Sequence, residues 1–432
     1  MTRPLAPMLT ILVVALVLVS GFGQGGEALW GQGLVAIAGA VGCSAMALSP
    51  RRSWSAALRG AGLAWGLVIL WTVIQALPLG IAAHPSWFGV ASLLGMPAAG
   101  SIAVDPQASF DAAIRLAAYA GVFALAVQAA PSSTLLLSAI AVAVAAVASL
   151  GLAVDSQTVG PAGLMKVRHW GDAAFPFANR NHYSVFAGIG ALAALGQLVT
   201  APSYRGWRTV IWLSVLLVCL GAAFASHSRA GLAALAVASA AMIVCLNPRR
   251  RVWLPVVLAG LALAGILTAG TLARLETLDE ALALRGSIIA AAAGLATQYP
   301  WTGVGSFDLA FQAIAPAWNE GMVQSAHNIL IESLAERGWP STLAAIVAIG
   351  LVLGQCARSI ASSGNGKVAG ATAIGVATLV LLHGMVDFSV YAPTIAALVA
   401  IVLGLGAGQA LAPAPAPPIG LARGNPFEGA RA

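Results

Sequence analysis

Charge is scarce in this 432-residue chain: only 8% of its residues are Asp, Glu, Lys or Arg, against 59% that are hydrophobic. Cysteine is scarcer still. Cys43, Cys219, Cys245 and Cys356 all fall in apolar stretches and show no CxxC spacing, which excludes a disulfide framework and a thiolate metal site. Nucleotide-handling motifs are missing as well. "TGVGS" lacks the GK[ST] ending of a P-loop, nothing resembles a soluble Rossmann domain, and no DxD-type acidic pair offers to hold a metal and a diphosphate. There is no 20–50-residue repeat and no duplication of halves, which weighs against a carrier built from repeated halves.

What the chain does have is about a dozen apolar stretches, each about 20 residues long, the length that crosses a bilayer core. They are read as spans at 8–23, 29–48, 59–78, 112–130, 133–154, 183–200, 208–225, 230–247, 252–272, 341–358, 368–387 and 391–412. Lipid leaves no partner for the backbone of an open sheet, and the runs are far longer than barrel strands, so the expected fold is all-α and polytopic. No small-residue cleavage pattern follows the first stretch, which therefore reads as a retained anchor.

With the N-terminus inside, the inner loops hold thirteen of the twenty-one Lys and Arg, including Arg51, Arg52, Arg249, Arg250 and Arg251. Of the fourteen acids only Glu428 falls inside, and the rest lie outside, from Glu27 to Asp387. Both tallies place the two termini in the cytoplasm. The net charge of +7 is this inside bias and points to no nucleic-acid partner. Trp30, Trp207, Trp253 and Trp339 stand at span ends, where membrane interfaces favour them.

Residues 1–272 thus carry nine spans with shorter external loops at 79–111 and 155–182. Residues 273–340 form a large external loop, 341–412 the last three spans, and 413–432 a Pro- and Gly-rich tail expected to be disordered. The large loop looks ordered: a helix ending before Pro300, a turn at "TGVGS", and a helix over "HNILIESLAERG" stopped by Gly338 and Pro340. On that last helix the spacing puts His327 with Ile331 and Leu334, and Asn328 with Glu332 and Glu336.

Without a nucleotide site, an activated donor for chemistry on the outer face has to arrive on a lipid. A lipid diphosphate leaving group needs positive charge and forked donors, and Arg180, Arg229 and Arg285 are candidates. An arginine at a span end can equally snorkel or pair with an acid such as Asp279 or Glu280. Arg229 is distinguished by a tight frame of Ser226, His227 and Ser228. His327 is the natural general base, since imidazole titrates near neutrality, although a lone histidine on an apolar face is more often structural. His169, His182 and His227 lie on different segments and match no ligand spacing, so no metal is expected. His383 and Asp387 are spaced i, i+4 at the end of span eleven, a pattern for a local hydrogen bond or for orienting a substrate or loop. A transporter or lipid-glycan flippase is the competing class, but its ionisable groups belong near the midplane, whereas these gather at one interface.

The same residues resemble the O-antigen ligase and polymerase superfamily of bacterial envelope glycosyltransferases. "WTVIQALPLG" and "GSIAVDPQAS" are similar to that family's third span and first external loop. "FPFANRNHYSVFAG" is similar to its F-x-N-x-N-H segment, with Asn179, Asn181 and His182 in place. "SHSRAG" resembles its S-x-S-R-[AG] element, and the stretch from "LRGS" to "SAHNILIESLAERG" its large periplasmic loop, with nine residues between Asn328 and Gly338. Ser341 and Arg180 depart from the family's preferences. The resemblance implies a GT-C-like fold in the inner membrane with its active site at the periplasmic face. It implies metal-independent, inverting transfer, without cofactor, from an undecaprenyl-diphosphate glycan to lipid A-core in a ligase, or to a second lipid-linked glycan in a polymerase. It makes His327 the essential histidine and Arg229 and Arg285 the diphosphate ligands; beside it, the reading of the residues keeps Arg180 as a further donor-binding candidate and expects Asn179, Asn181, Ser228, Asn328 and Asp387 in support.

Overall fold

The computed structural model describes residues 5–48, 54–97, 99–154, 172–200, 206–246, 278–314, 323, 325–362 and 364–411. The described residues form fourteen α-helices in chain order: α1 (Leu5–Gly21), α2 (Leu29–Leu48), α3 (Ala56–Ala76), α4 (Ser86–Leu94), α5 (Pro106–Ala129), α6 (Ser133–Ala153), α7 (Arg180–Thr200), α8 (Trp207–Ala225), α9 (Arg229–Leu246), α10 (Leu278–Gln298), α11 (Phe307–Ile314), α12 (Ile329–Ile360), α13 (Asn365–Gly384) and α14 (Pro393–Gln409). No β-strand occurs among the described residues. Among the described residues eight helical stretches are long and apolar enough to span a membrane, one of them running through both α5 and α6, and α1 and α14 are shorter apolar helices. The chain is an all-helical polytopic membrane protein. The predicted span at 252–272, His169, Trp253 and the tail at 413–432 lie outside the described residues.

Local chemistry sets the helix starts. Ser55 accepts the Leu58 N–H at 3.2 Å to open α3, and Asp105 accepts the Ala108 N–H at 3.0 Å to open α5, with Pro106 in its first turn. Small residues then let helices touch through their backbones. A Cβ on Gly42 of α2 would fall 2.2 Å from the Gly121 carbonyl oxygen of α5, so any larger residue there would push the pair apart. Most of α7 is buried, and α13 nearly as fully, so these two form the centre. By contrast α3 and α8 turn most of their length outward, as lipid-facing helices do.

The connections 21–29, 172–180, 225–229 and 384–393 meet at one end of this bundle. Ser20 and Thr394 share a hydroxyl hydrogen bond of 2.8 Å, the Thr394 N–H reaches Gly25 O, and the Ala173 N–H reaches Ala225 O. Helices α10, α11 and the first turns of α12 sit at the same end around their own small core of Ile288, Leu295, Phe307 and Phe311, against which Ile331 and Leu334 pack.

Two sequence expectations change here. His327 is not on the helix: α12 begins at Ile329, Asn328 caps it, and His327 stands before the cap with a left-handed φ of 52°. Asp387 is not on the helix of His383 either, because α13 ends at Gly384, and His383 bonds Ser389 at 3.0 Å rather than Asp387. The stop at Gly338 holds as a break: its φ of 71° interrupts α12, which then continues through Pro340 into the membrane-length part.

Candidate active site

Three of the helices that open at this end of the bundle, α7, α9 and α12, start on a short polar side chain. Asn179 Oδ1 accepts the Asn181 N–H at 2.8 Å as α7 begins, Ser228 Oγ accepts the Gly231 N–H at 3.2 Å as α9 begins, and Asn328 Oδ1 accepts from Leu330 and Ile331 at 3.1 Å each. Such caps leave helix N-termini at one corner, where the aligned backbone dipoles favour negative charge. The corner is close-packed: a Cβ on Gly231 of α9 would fall 2.3 Å from Ser184 Oγ of α7.

His327 is held in this corner from both sides. On one side the Ser325 hydroxyl and the Ala326 N–H (2.9 Å) both donate to Glu332 Oε2, and Ser325 Oγ accepts the His327 N–H at 3.2 Å. On the other, Asn328 Nδ2 donates to Met385 O at 3.1 Å, tying the cap to the loop that carries Asp387. These bonds keep a histidine in a backbone region that costs non-glycine residues energy. They also direct its ring: Nδ1 lies 3.7 Å from Asp387 Oδ1, an ion-pair distance longer than a hydrogen bond. The imidazole is 24% exposed while Asp387 is 1% exposed, so a substrate can reach the histidine and not the acid.

Asp387 is well supported as a carboxylate. Its Oδ1 accepts the Phe388 N–H at 2.7 Å and its Oδ2 accepts from Asn181 Nδ2. Burial works against the charge, yet the His327 imidazole, then His383 and His182, and the Phe388 N–H hold the carboxyl well below the usual carboxylate range. Phe388 itself is wedged between two histidines, its ring centroid 5.1 Å from His327 and 4.9 Å from His182. Tyr391 completes the loop by donating to Glu336 Oε2 at 3.1 Å, an acid that Arg337 also pairs with at 3.1 Å.

The three arginines separate into two kinds. Arg180 pairs with Asp172 at 2.6 Å, and the other oxygen of that buried acid lies 3.0 Å from His227 Nδ1. Its charge is thus already matched by Asp172. Arg229 and Arg285 are half-buried and form no ion pair among the described residues. Arg229 opens α9 beside Ser228, and the charge of Arg285 is felt at His383, one turn from Asp387. Among the described residues no group of three His, Cys, Asp or Glu side chains is arranged to hold a metal.

Of the residues named from sequence, contacts join His327, Asp387, Asn181 and Asn328, while Asn179, Ser228 and Arg229 stand at the starts of α7 and α9 at the same end of the bundle, and Arg285 on α10 is tied to this end through its charge at His383. Sequence reasoning missed Glu332 and Asp172 as organisers, and it placed Glu332 only on a helix face. Its i+4 relation to Asn328 was legible, but the turn that brings Ser325 back onto it was not.

This assembly is a candidate site at one end of a membrane-length helical bundle, with a partly exposed histidine over a buried aspartate. Residues 213–346 match the family model for O-antigen ligase, a segment that holds Ser228, Arg229, Arg285 and His327. The chain is a membrane protein with an O-antigen ligase domain, which indicates a glycan-transferring enzyme of the ligase and polymerase type acting on lipid-linked glycans. No match to a curated protein was found.

Proposed function

We infer that the protein is an O-antigen ligase: it transfers a glycan from a polyprenyl-diphosphate carrier, undecaprenyl diphosphate, to a sugar hydroxyl of lipid A-core at the periplasmic face of the inner membrane. The observation that carries this reading is the solvent-reachable His327, backed by the buried Asp387 at 3.7 Å, at the end of the bundle that also holds Arg229 and Arg285 free of acid partners among the described residues.

His327 takes the proton from the acceptor hydroxyl as its oxygen attacks the anomeric carbon of the donor. Nδ1 faces Asp387, so Nε2 is the nitrogen free to act, and Asp387 steadies the imidazolium that forms. The bond from the anomeric carbon to the diphosphate oxygen breaks on the opposite face, which inverts the configuration. The leaving diphosphate gains charge, and Arg229 and Arg285 with the N-terminus of α9 stabilise it, in a reaction that needs no metal. Arg180, matched by Asp172, holds the loop before α9 in place rather than meeting the diphosphate.

The electrophoretic profile of lipopolysaccharide from cells lacking the gene tests this. The ligase reading expects loss of the whole ladder, with long polymer left on the carrier, and restoration by the wild-type chain but not by His327→Ala. Core bearing a single repeat would instead identify a polymerase, and an unchanged profile would remove lipopolysaccharide as the product.

A further inference from the structure

Between Arg59 and Asp105 the sequence contains no Asp, Glu, Lys or Arg, although only the first part of that stretch is the α3 span. The remainder leaves the bundle, and its helix α4 has no buried residue. Its large apolar side chains point away from the protein: Ile81 is 76% exposed, Phe88 74% and Leu93 88%, with Leu94 and Met96 also exposed. An uncharged connection presenting this much apolar surface to water would be an aggregation liability. The surface continues one that faces lipid, since Leu63, Leu67 and Leu70 form an exposed stripe along α3 at helical spacing.

The segment is nonetheless firmly attached at its base. Trp87 Nε1 donates to Ala103 O at 3.1 Å, and the N–H groups of Gly80 and His84 reach Gly100 O and Ser101 O at 2.9 Å. From there the bonds run on to the active-site helix. The Val104 N–H donates to Val304 O, the N–H groups of Val304 and Gly305 donate to Ala335 O and Glu336 O, and Gln75 Nε2 donates to Thr302 O and Glu336 O. A displacement of α4 relative to the membrane is therefore transmitted to α12, whose cap follows His327.

We propose that residues 79–96 are an outer-leaflet anchor: α4 lies in the acyl boundary of the membrane, its partner is lipid hydrocarbon, and it sets the height of the His327 corner against the headgroups. The height function rests on the reading that the donor is lipid-linked; the lipid contact does not. Height matters because the diphosphate of a membrane-borne donor is confined to the headgroup level, so a corner set too high or too low meets it less often.

Photo-crosslinking of the full-length protein tests both parts. p-Benzoylphenylalanine is placed at position 88 or 93 of the protein in vesicles of radiolabelled phosphatidylcholine, with position 67 as the lipid-facing reference and position 107 as the aqueous one. The anchor predicts label on the protein from 88 and 93 within about twofold of position 67 and at least about fivefold above 107. Label at the level of 107, or adducts to a second protein chain, would overturn it. In a second arm, the correctly inserted Phe88→Glu, Leu93→Glu protein should lose at least about fivefold in transfer from a long-chain donor, while a short-chain, water-soluble donor is used as well as by the wild type. Equal loss with both donors would overturn the height function and leave the lipid contact standing.

Discussion

His227 and His327 stand in equivalent places, each one residue before a polar helix cap, Ser228 or Asn328, and each with a left-handed φ of 52°. Each ring also faces a buried aspartate, at 3.0 Å for His227 and 3.7 Å for His327. The difference lies behind the aspartate. Asp172 spends its second oxygen on the Arg180 guanidinium, so most of its charge is already matched, whereas Asp387 spends its second oxygen on the neutral amide of Asn181. Asp387 therefore keeps a full charge to stabilise an imidazolium, and Asp172 does not. On the proposed mechanism the same local device serves as a structural latch at one helix start and as a base at the other.

The largest expected effect that would sharpen this contrast is on the arginines. Arg229→Ala or Arg285→Ala removes a donor from the leaving diphosphate and should lower transfer by about 10²- to 10³-fold. Arg180→Ala should cost less than about tenfold per folded molecule and act instead on stability, since it removes the guanidinium that pairs with the buried Asp172. Transfer assays normalised to inserted protein, with thermal unfolding in detergent, separate the two; a large activity loss at unchanged stability for Arg180→Ala would break the distinction.

The aspartates come next. Asp387→Asn should reduce transfer by about 10²-fold, because an amide does not support the imidazolium, and Asp172→Asn should mainly lower thermal stability. The pH dependence of stability gives an independent check. The folded-state pKa of Asp387 is depressed, so its stabilisation is fully present above the unfolded carboxylate value near 4 and is lost as pH falls through the depressed folded value. Between pH 5 and 8 this group should contribute no slope, and Asp387→Asn should flatten the acid limb of the unfolding profile. A steep change near neutrality that vanishes in this variant would contradict the assignment.

The smallest effect concerns the turn that aims His327. Glu332→Leu keeps the volume but removes the acceptor for Ser325 and Ala326, and should lower kcat about tenfold with little change in KM. Glu332→Gln keeps an acceptor oxygen and should stay within about threefold. On a His327→Ala background Glu332→Leu should add nothing further, because it acts through the histidine; an additive loss would mark it as structural only.

Much of this architecture could be read before any coordinates. The described spans became helices close to their expected limits because lipid allows the backbone no other solution. The candidates for the proposed chemistry could be named by residue type: His327 as a base, and arginines near the interface for a diphosphate. What the sequence could not convey is which arginine is already matched. Arg180 and Asp172 are only eight residues apart, but their contact depends on how the connection into α7 folds. Asn181 and Asp387 are 206 residues apart, and nothing local joins them. The helix α4 was missed because it buries nothing and so carries no strong periodic signal, and α11, although amphipathic, was missed because it is only eight residues long. His327 was placed on a helix because the apolar spacing continues through it, while the cap at Asn328 starts the helix two residues later than that spacing suggests.

The most direct test of the central claim compares the two histidines in one assay. Purified wild type, His227→Ala and His327→Ala are placed in vesicles with a lipid-linked glycan donor and a lipid A-core acceptor, and single-turnover transfer is timed. The account predicts a fall of at least about 10³-fold for His327→Ala and less than about tenfold for His227→Ala. A correctly inserted His327→Ala protein retaining more than about a tenth of the wild-type rate would contradict it.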